Sequence, residues 1–328
     1  MQQVLVTGAT GFIGIEVAEQ LCRKGFKPRL LVRRPHRANF LHGLLPDAEL
    51  MQGDLEGPLG LARAVEGVDT VIHLGARAVF EEYKRLRSSI VDGSTFLMRA
   101  AVAAGVKTFV YASSMLVYGA NSGVIDPGTP VAPMTGYGRA KVETEAALRT
   151  LAEASGMNLA IVRLPHVYGA RDFIFGQVHR GRVILPGSGR NLFSHLHVQD
   201  AARLLIAAAE NGRHGSSPVA DDLAVSWNDF FDEIRNYYPH FRRIRMPRWM
   251  ALAGTCMLTP FHRLSRQPSM STPQAVRAWN MTLTVKKGVF WDELGLKPDY
   301  PTIHEGIPAV MDACLQFRWI HSIDDHIA

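Results

Sequence analysis

Short apolar runs alternate with longer segments of helical period through the first half of the chain. Runs of this kind predict strands covered on both faces, and apolar residues repeating every three to four positions predict amphipathic helices. The pattern predicts strands at Gln3–Thr7, Arg29–Val32, Glu49–Gln52, Thr70–Leu74, Thr108–Ala112 and Leu159–Arg163, and helices at about 12–24, 58–66, 91–104 and 137–155. Such alternation indicates an α/β fold of parallel βαβ units in a doubly wound sheet.

The texture changes after Pro165, where Gly, Pro, His and Arg become frequent and the predicted elements become short. Helical pattern returns at 198–209, at 226–237, where Ser226 is a good N-cap, and at 247–258. We therefore predict one larger domain and one smaller, partly interleaved α/β domain that binds the substrate. The larger comprises 1–165 with 194–212 returning to it, and the smaller comprises 166–193 and 213–328.

Composition indicates the general class of protein and the compartment expected for it. The chain has 328 residues, of which 47% are hydrophobic and 20% are charged, as in an ordinary globular protein. Its three cysteines show no CxxC spacing, which favours a reducing compartment and predicts neither a disulfide framework nor a metal site. With no room for a signal peptide before the first strand, and no apolar stretch of membrane-spanning length, we expect a cytoplasmic protein.

Charge is concentrated late in the chain. The net charge is +6, yet residues 234–291 contain ten Lys and Arg and no Asp or Glu. An apolar stretch at 249–258 lies inside this basic block. The favoured interpretation is a lid helix with a solvated basic edge. The alternative is a peripheral contact of 242–266 with an anionic membrane. No nucleic-acid recognition motif is present, so no such partner is expected.

Glycines mark the first candidate site, in the stretch VTGATGFIG at 6–14. Gly8 would permit the sharp turn after the first strand, Gly11 would let the backbone approach a pyrophosphate, and Gly14 would let the helix pack on the strand. The helix N-terminus would then face the negative charge. This context predicts a dinucleotide site, which also includes Thr10, Phe12 and Ile13.

The end of the second predicted strand selects the cofactor. An acidic residue there would bond the ribose 2′-hydroxyl of NAD, but the chain has Arg33 and Arg34. Arginines pair well with a 2′-phosphate, so NADP is the preferred cofactor. NAD stays possible, because an arginine can also stack on adenine, and the two arginines could simply be a solvated strand end.

Ser114, Tyr137 and Lys141 are the candidate catalytic residues. Ser114 follows the fifth predicted strand, and Tyr137 and Lys141 are four residues apart, which places both on one face of a helix. A tyrosine hydroxyl has a pKa near 10, so it needs a nearby cation to exchange protons at neutral pH. Lys141 would supply that cation, and Ser114 would orient the substrate oxygen.

With these motifs in order, the chain resembles an extended short-chain dehydrogenase/reductase of the NAD-dependent epimerase/dehydratase and 3β-hydroxysteroid dehydrogenase-like group. The resemblance rests on VTGATGFIG, GDL at 53–55, HLGA at 73–76, SSMLVYG at 113–119, YGRAK at 137–141, RLPHVYG at 163–169 and FSHLHVQDAARLL at 193–205. The ending LGLKPDYPTIHEGI resembles the steroid dehydrogenase-like and dihydroflavonol reductase-like members.

The resemblance implies further site residues. It places Asp54 and Leu55 at the adenine, Leu74, Gly75 and Ala76 along the cofactor, and Pro165 near the nicotinamide. It makes His166 and Tyr168 candidate substrate contacts, together with the more distant His179, His195 and His197, each of which could instead be structural. It also implies a homodimer formed through 91–104 and 137–155, although their alanines could equally pack inside the monomer.

One position departs from the family pattern, because Ile90 occupies the place where relatives carry an Asn. The hydrogen bond or helix distortion that this Asn provides must then come from elsewhere, and Ser88 and Ser89 are the candidates.

The function expected from the sequence is the interconversion of a secondary alcohol and a ketone on a fairly apolar, steroid-, isoprenoid- or flavonoid-like substrate. The alternatives are a sugar-nucleotide epimerase or dehydratase and a non-catalytic regulator that senses a dinucleotide.

Overall fold

A seven-stranded parallel sheet organises the protein. The structure, a computed structural model, describes residues 1–57, 60–119, 123–265 and 271–316, the side chains of 260–265 excepted. The strands are β1 Val4–Thr7, β2 Arg29–Val32, β3 Glu49–Gln52, β4 Thr70–His73, β5 Thr108–Ser114, β6 Val124–Ile125, β7 Asn158–Leu164, β8 His166–Tyr168, β9 Arg182–Pro186, β10 Leu192–Phe193, β11 His195–His197, β12 Gly215–Pro218, β13 Val225–Ser226, β14 Arg242–Met246 and β15 Thr284–Val285. The large sheet has the order β12-β7-β5-β4-β1-β2-β3.

Helices cover both faces of this sheet. They are α1 Phe12–Arg23, α2 Phe40–Leu44, α3 Leu61–Ala64, α4 Tyr83–Arg87, α5 Gly93–Ala103, α6 Gly136–Ser155, α7 Phe173–His179, α8 Val198–Glu210, α9 Trp227–Tyr237, α10 Arg248–Ser265, α11 Pro273–Trp279, α12 Val289–Leu294 and α13 Ile303–Gln316. The helices α1 and α8 pack together on one face, and α3, α5 and α6 pack on the other. Because both faces are covered, β1 and β4 are buried along their whole length.

The doubly wound fold predicted from the sequence is confirmed. Strands β2 and β3 have the predicted bounds, and β5 and β7 continue one or two residues further. The sheet also includes β12, which pairs in parallel with β7 although the sequence analysis assigned 213–328 to the smaller domain. The helix α12 packs on α8 and β12 and adds Phe290 and Trp291 to the core on that face.

A second apolar core lies beyond the carboxyl edge of the sheet. It is built from residues of α7, β9, α9, α11 and α13, with Phe175, Phe230, Phe231 and Ile307 among its buried members. Helix α9 starts as the sequence predicts, because Ser226 and Asp229 form a reciprocal capping box. This core supports the segments that extend over the edge of the sheet.

No helix within the described ranges is long and apolar enough to cross a bilayer. Helices α5 and α6 pack against each other, with Ala101 and Ala140 buried and Ala103, Ala104 and Ala146 exposed. The homodimer stays a prediction.

Candidate active site

The glycine loop lies where the strand order reverses, between β1 and β4. Gly8 has φ +71°, and a Cβ there would come within 2.8 Å of the Gly75 nitrogen in the loop after β4. A Cβ on Gly14 would lie 2.1 Å from the Gly8 carbonyl oxygen, so only glycine lets α1 begin this close to the turn. The first turn of α1 has no acidic residue, and its N-cap Gly11 contributes no side-chain hydrogen bond. The free amides at this helix start suit a pyrophosphate.

A cleft of about 1230 Å³ runs from this loop across the carboxyl edge of the sheet. At one end it is lined by Arg33, Arg34 and Arg37, all exposed, and by Asp54 and Glu56. Arg33 and Arg34 follow β2 directly, and the short 3₁₀ turn Pro35–Arg37 brings Arg37 to the same cleft. Three guanidinium groups at one end of a cleft can pair with a phosphate. The glycine loop, here called the glycine cradle, and the arginine-lined end of the cleft therefore fit a dinucleotide.

A buried polar chain fixes the two loops that meet at the glycine turn. The Nδ1 atom of His73 bonds the Thr7 hydroxyl at 2.6 Å, and the Thr7 hydroxyl accepts from the Gly75 amide at 3.1 Å. The other ring nitrogen of His73 bonds the Ser94 hydroxyl at 2.8 Å. Burial, followed by the nearby Lys141 charge, lowers the pKa of His73 to about 3, so its ring is neutral and structural.

Tyr137 and Lys141 face the middle of the cleft from the first two turns of α6. The Lys141 Nζ atom lies 5.6 Å from the centre of the Tyr137 ring and donates to the Ala112 carbonyl at 2.7 Å. Burial lowers the pKa of Lys141 to about 7, an effect that the Glu145 carboxylate opposes. Burial also raises the pKa of the Tyr137 phenol, which therefore holds its proton at neutral pH.

Ser114 ends β5 and lines the same cleft. Its hydroxyl oxygen accepts from the Leu116 amide at 3.2 Å, which caps the following 3₁₀ turn and fixes the side chain. With its oxygen engaged as an acceptor, the hydroxyl can donate its hydrogen to a ligand.

The helix is distorted at Ile90 although the Asn of the family pattern is absent there. Residues Ser88–Asp92 form a π-helical turn between α4 and α5. The Ile90 side chain is buried against Leu86 and Ala140, and its carbonyl accepts from Ser94 at 2.5 Å and Thr144 at 3.3 Å. Ser88 is exposed, whereas Ser89 is buried and lines the cleft. Such π turns are frequent at functional sites.

A buried ion pair supports α6 below Lys141. Glu145 is 1% exposed and accepts from Arg163 at 2.7 and 3.1 Å and from Ser113 at 2.6 Å. Arg163 also donates to the Tyr118 hydroxyl at 2.8 Å. The network ties α6 to β5 and β7, the strands that carry Ser114 and Pro165 towards the cleft.

Aromatic side chains line the other end of the cleft. Phe80 lies edge-on to Tyr137, with ring centres 6.3 Å apart, and its carbonyl accepts from the Thr272 hydroxyl. This end is lined by Phe80, Leu116, Phe173, Ile174, Phe193, Trp227, Ala278 and Trp279. Two polar side chains among these residues are His166 and Asp172, whose Nε2 and Oδ2 atoms are 3.4 Å apart. The other ring nitrogen of His166, Nδ1, is hydrogen-bonded to Nδ1 of the buried His195 at 2.9 Å.

The structure brings most of the predicted site residues to this one cleft. Its lining includes Gly8, Thr10, Gly11, Phe12, Ile13, Gly14, Arg33, Arg34, Asp54, Leu55, Leu74, Gly75, Ala76, Ser114, Tyr137, Lys141, Pro165 and His166.

The expectation that Tyr168 contacts the substrate is corrected by the structure. Its ring is fully buried and does not line the cleft, because it lies behind His166 on the same side of β8, and its hydroxyl packs against Gly306. His195 and His197 are also buried, and His179 is exposed away from this cleft.

Sequence reasoning missed Arg37, Asp172 and the aromatic residues of the cleft. Asp172 lies six residues beyond His166, so the local RLPHVYG motif did not point to it. Phe80, Trp227 and Trp279 come from three distant segments, and no spacing within the sequence connects them.

The buried lysine gives a stability prediction. Because the pKa of Lys141 falls from 10.5 to about 7 on folding, the unfolded chain binds more protons between these values, and stability rises with pH across that window. In the ligand-free protein, Lys141→Met should therefore be more stable than wild type by about 2–4 kcal/mol near pH 6, with a margin that shrinks towards pH 9. Urea unfolding at several pH values measures this margin.

The matched control for this experiment is Lys107→Met, which changes an exposed lysine. Its margin over wild type should stay flat with pH. A Lys141→Met margin that grows as the pH rises would contradict the burial argument.

Short-chain dehydrogenase/reductases are the class in which a sheet of this order carries a glycine turn at its reversal point and a tyrosine and lysine one helical turn apart. Residues 4–220 match the family model described as NAD dependent epimerase/dehydratase family, and the chain belongs to this family. The resemblance stated from the sequence is thereby confirmed.

Several relatives are similar to the chain. An uncharacterized protein, y4nG of Sinorhizobium fredii, is 32% identical over 217 residues, which cover 64% of this chain and 54% of that protein. The chain thus spans little more than half the length of this relative. The ceramide reductase of Caulobacter vibrioides is 28% identical, covering 81% of this chain and 80% of the relative. The decarboxylating sterol-4-alpha-carboxylate 3-dehydrogenase of Dictyostelium discoideum is 26% identical, covering 71% and 75%.

Among solved structures, MoeE5 in complex with UDP-glucose and NAD superimposes with a TM-score of 0.76. The match covers 96% of this chain and 99% of that one at 24% identity. This likeness shows the fold.

Proposed function

We propose that the protein is an NADP-preferring oxidoreductase that interconverts a ketone and a secondary alcohol on an apolar, lipid-like substrate. The observation that carries this proposal is the composition of this cleft. Arginines and a glycine cradle lie at one end, Tyr137, Lys141 and Ser114 in the middle, and aromatic side chains at the other.

The chain's own residues would manage the proton while a bound nicotinamide dinucleotide supplies or accepts the hydride. In the direction of reduction, Ser114 would donate a hydrogen bond to the substrate oxygen, and Tyr137 would transfer its proton to that oxygen. The raised pKa of Tyr137 keeps it protonated for this step. Lys141, which carries its charge below its pKa of about 7 and donates to the Ala112 carbonyl, would stabilise the phenolate that forms.

Apolar side chains support a lipid-like substrate. Rings such as Phe80, Phe193 and Trp279 would cover a hydrocarbon, and His166 with Asp172 offers one polar contact among them. The ceramide reductase and sterol dehydrogenase named above favour the same class of substrate. A sugar nucleotide would need polar partners for its hydroxyls, whereas the described residues that line this end are mostly apolar.

Consumption of the cofactor tests the proposal. Incubation with NADPH and a panel of long-chain and polycyclic ketones should lower the absorbance at about 340 nm in step with alcohol formation. The same protein with UDP- and dTDP-sugars should give no product. Conversion of a sugar nucleotide without net oxidation of the cofactor would overturn the proposal in favour of an epimerase or dehydratase.

The three arginines give the prediction on cofactor choice. Each charge-assisted bond to a 2′-phosphate contributes about 1.5–3 kcal/mol, so Arg33→Ser with Arg34→Ser should lower the ratio of kcat/KM for NADPH over NADH by tenfold or more. The exposed Arg63, on α3 outside this cleft, provides the control variant Arg63→Ser. An unchanged ratio in the double variant would show that these arginines are a solvated strand end.

A further inference from the structure

Helix α10 presents its apolar side outwards. Trp249 and Met257 are 71% and 75% exposed, and Met250 and Leu258 are 45% and 46% exposed. The inward side carries Ala251 and Thr255, and the Thr255 hydroxyl is satisfied within the helix by the Ala251 carbonyl at 2.8 Å. A helix on a water-facing surface normally has the opposite arrangement. The exposed apolar side therefore needs an apolar environment.

Positive charge lies at the N-terminal end of the helix. Arg248 begins α10, and Arg242 lies on β14, the strand that leads into it; both are exposed. The strand β14 pairs with β9, so that Arg242 is beside Arg182 and Ile244 is beside Ile184, all four exposed. Two other arginines of this strand are engaged within the protein, Arg243 with Asp232 and Arg245 with Asn228.

We propose that the outward residues of β14 and α10, here called the docking surface, bind an anionic lipid surface. The docking surface consists of Arg242, Ile244, Arg248, Trp249, Met250, Met257 and Leu258. An apolar helix face with exposed arginines at its N-terminal end suits the boundary of a membrane, where acyl chains contact the apolar side chains and lipid phosphates pair with the guanidinium groups.

The charge pattern favours a membrane over a second copy of the chain. A two-fold self-contact would bring the same arginines of both copies together, with no acidic residue anywhere in 234–291 to neutralise them. An anionic bilayer supplies the missing negative charge. Trp249, highly exposed at the start of the helix, suits the interfacial region that tryptophan prefers in membranes.

The docking surface is linked to the cleft through one helix. The helix α10 packs on α11, and Ala278 and Trp279 of α11 line the aromatic end of the cleft. A bilayer bound at α10 would be separated by α11 from the end of the cleft that we propose for an apolar substrate. The proposal itself concerns binding to lipid and holds whether or not the proposed reaction is correct.

Vesicle flotation tests the docking surface. The full-length protein is mixed with phosphatidylcholine vesicles that contain either no anionic lipid or about 30 mol % phosphatidylglycerol, in about 0.1 M NaCl. Wild type should float with the anionic vesicles only. Both Trp249→Gln/Met257→Gln and Arg242→Gln/Arg248→Gln should lower the partition coefficient by about tenfold or more.

Matched controls change residues of the same kind elsewhere. Leu44→Gln/Leu192→Gln removes two apolar side chains of 40% and 45% exposure, and Arg63→Gln/Lys107→Gln removes two exposed positive charges. Both should bind as wild type does. Circular dichroism of each variant confirms that it is folded.

Several results would overturn the proposal. These are the absence of wild-type flotation, equal binding to neutral vesicles, or equal loss in the control variants. Sedimentation velocity gives the remaining test without lipid. If wild type self-associates and Trp249→Gln/Met257→Gln does not, the docking surface joins two copies of the chain, and the membrane proposal is wrong.

Discussion

Replacing Tyr137 by phenylalanine should lower kcat/KM for ketone reduction by about a thousandfold. The change removes only the hydroxyl, which is the proton donor of the proposed reaction, and leaves the ring packed against Phe80. Dinucleotide affinity should stay within about twofold of wild type, because the glycine cradle and the arginines are untouched. Steady-state kinetics and a fluorescence titration with NADPH measure the two quantities separately.

Tyr237→Phe is the control for this variant. Tyr237 ends α9 with 41% of its surface exposed, and it lies outside the lining of the cleft. Removal of the Tyr237 hydroxyl should leave activity unchanged. If Tyr137→Phe retains more than about a tenth of wild-type kcat/KM, another group transfers the proton and the role given to Tyr137 is wrong.

Gly14→Ala should have the largest effect on cofactor binding. The added Cβ would lie 2.1 Å from the Gly8 carbonyl oxygen, so the turn and the start of α1 must separate. Displacing two amide donors from a charged phosphate removes about 3 kcal/mol, which corresponds to a loss of dinucleotide affinity of about a hundredfold. Isothermal titration with NADPH measures this affinity.

Gly43→Ala shows whether adding a methyl group has any general effect. Gly43 lies in α2, and a Cβ there meets no atom within 4 Å. This variant should bind NADPH as wild type does and be slightly more stable, by up to about 1 kcal/mol. If Gly14→Ala binds NADPH normally, the glycine loop is an ordinary turn and the dinucleotide lies elsewhere.

Local patterns predicted the parts of the structure that depend on neighbouring residues. The strand bounds at Arg29–Val32 and Glu49–Gln52 were predicted from short runs of residues. The turn after β1 and the start of α1 were predicted from the spacing of Gly8, Gly11 and Gly14. Each depends on sterics or burial within a few positions, which periodicity can report.

The remaining features depend on residues far apart in the sequence. Tyr168 has the sequence context of a cleft residue, but it is covered by His166 and by Gly306, which lies in the last described helix. Lys141 was expected beside Tyr137, yet its lowered pKa comes from its burial against β5, an effect that Glu145 opposes, and neither contact follows from local spacing. Which side of α10 faces outwards depends on how this helix packs on α11, and the sequence of α10 alone does not report that packing.

The arrangement of the cofactor and Tyr137 is the central claim, and a crystal structure of the complex with NADPH tests it most directly. The account predicts the pyrophosphate at the start of α1, the 2′-phosphate beside Arg33 and Arg34, and the nicotinamide ring beside Tyr137, with room for a substrate carbonyl about 3–3.5 Å from the phenol oxygen. A nicotinamide ring bound away from Tyr137 and Lys141, or a cleft that takes up no dinucleotide, would contradict it.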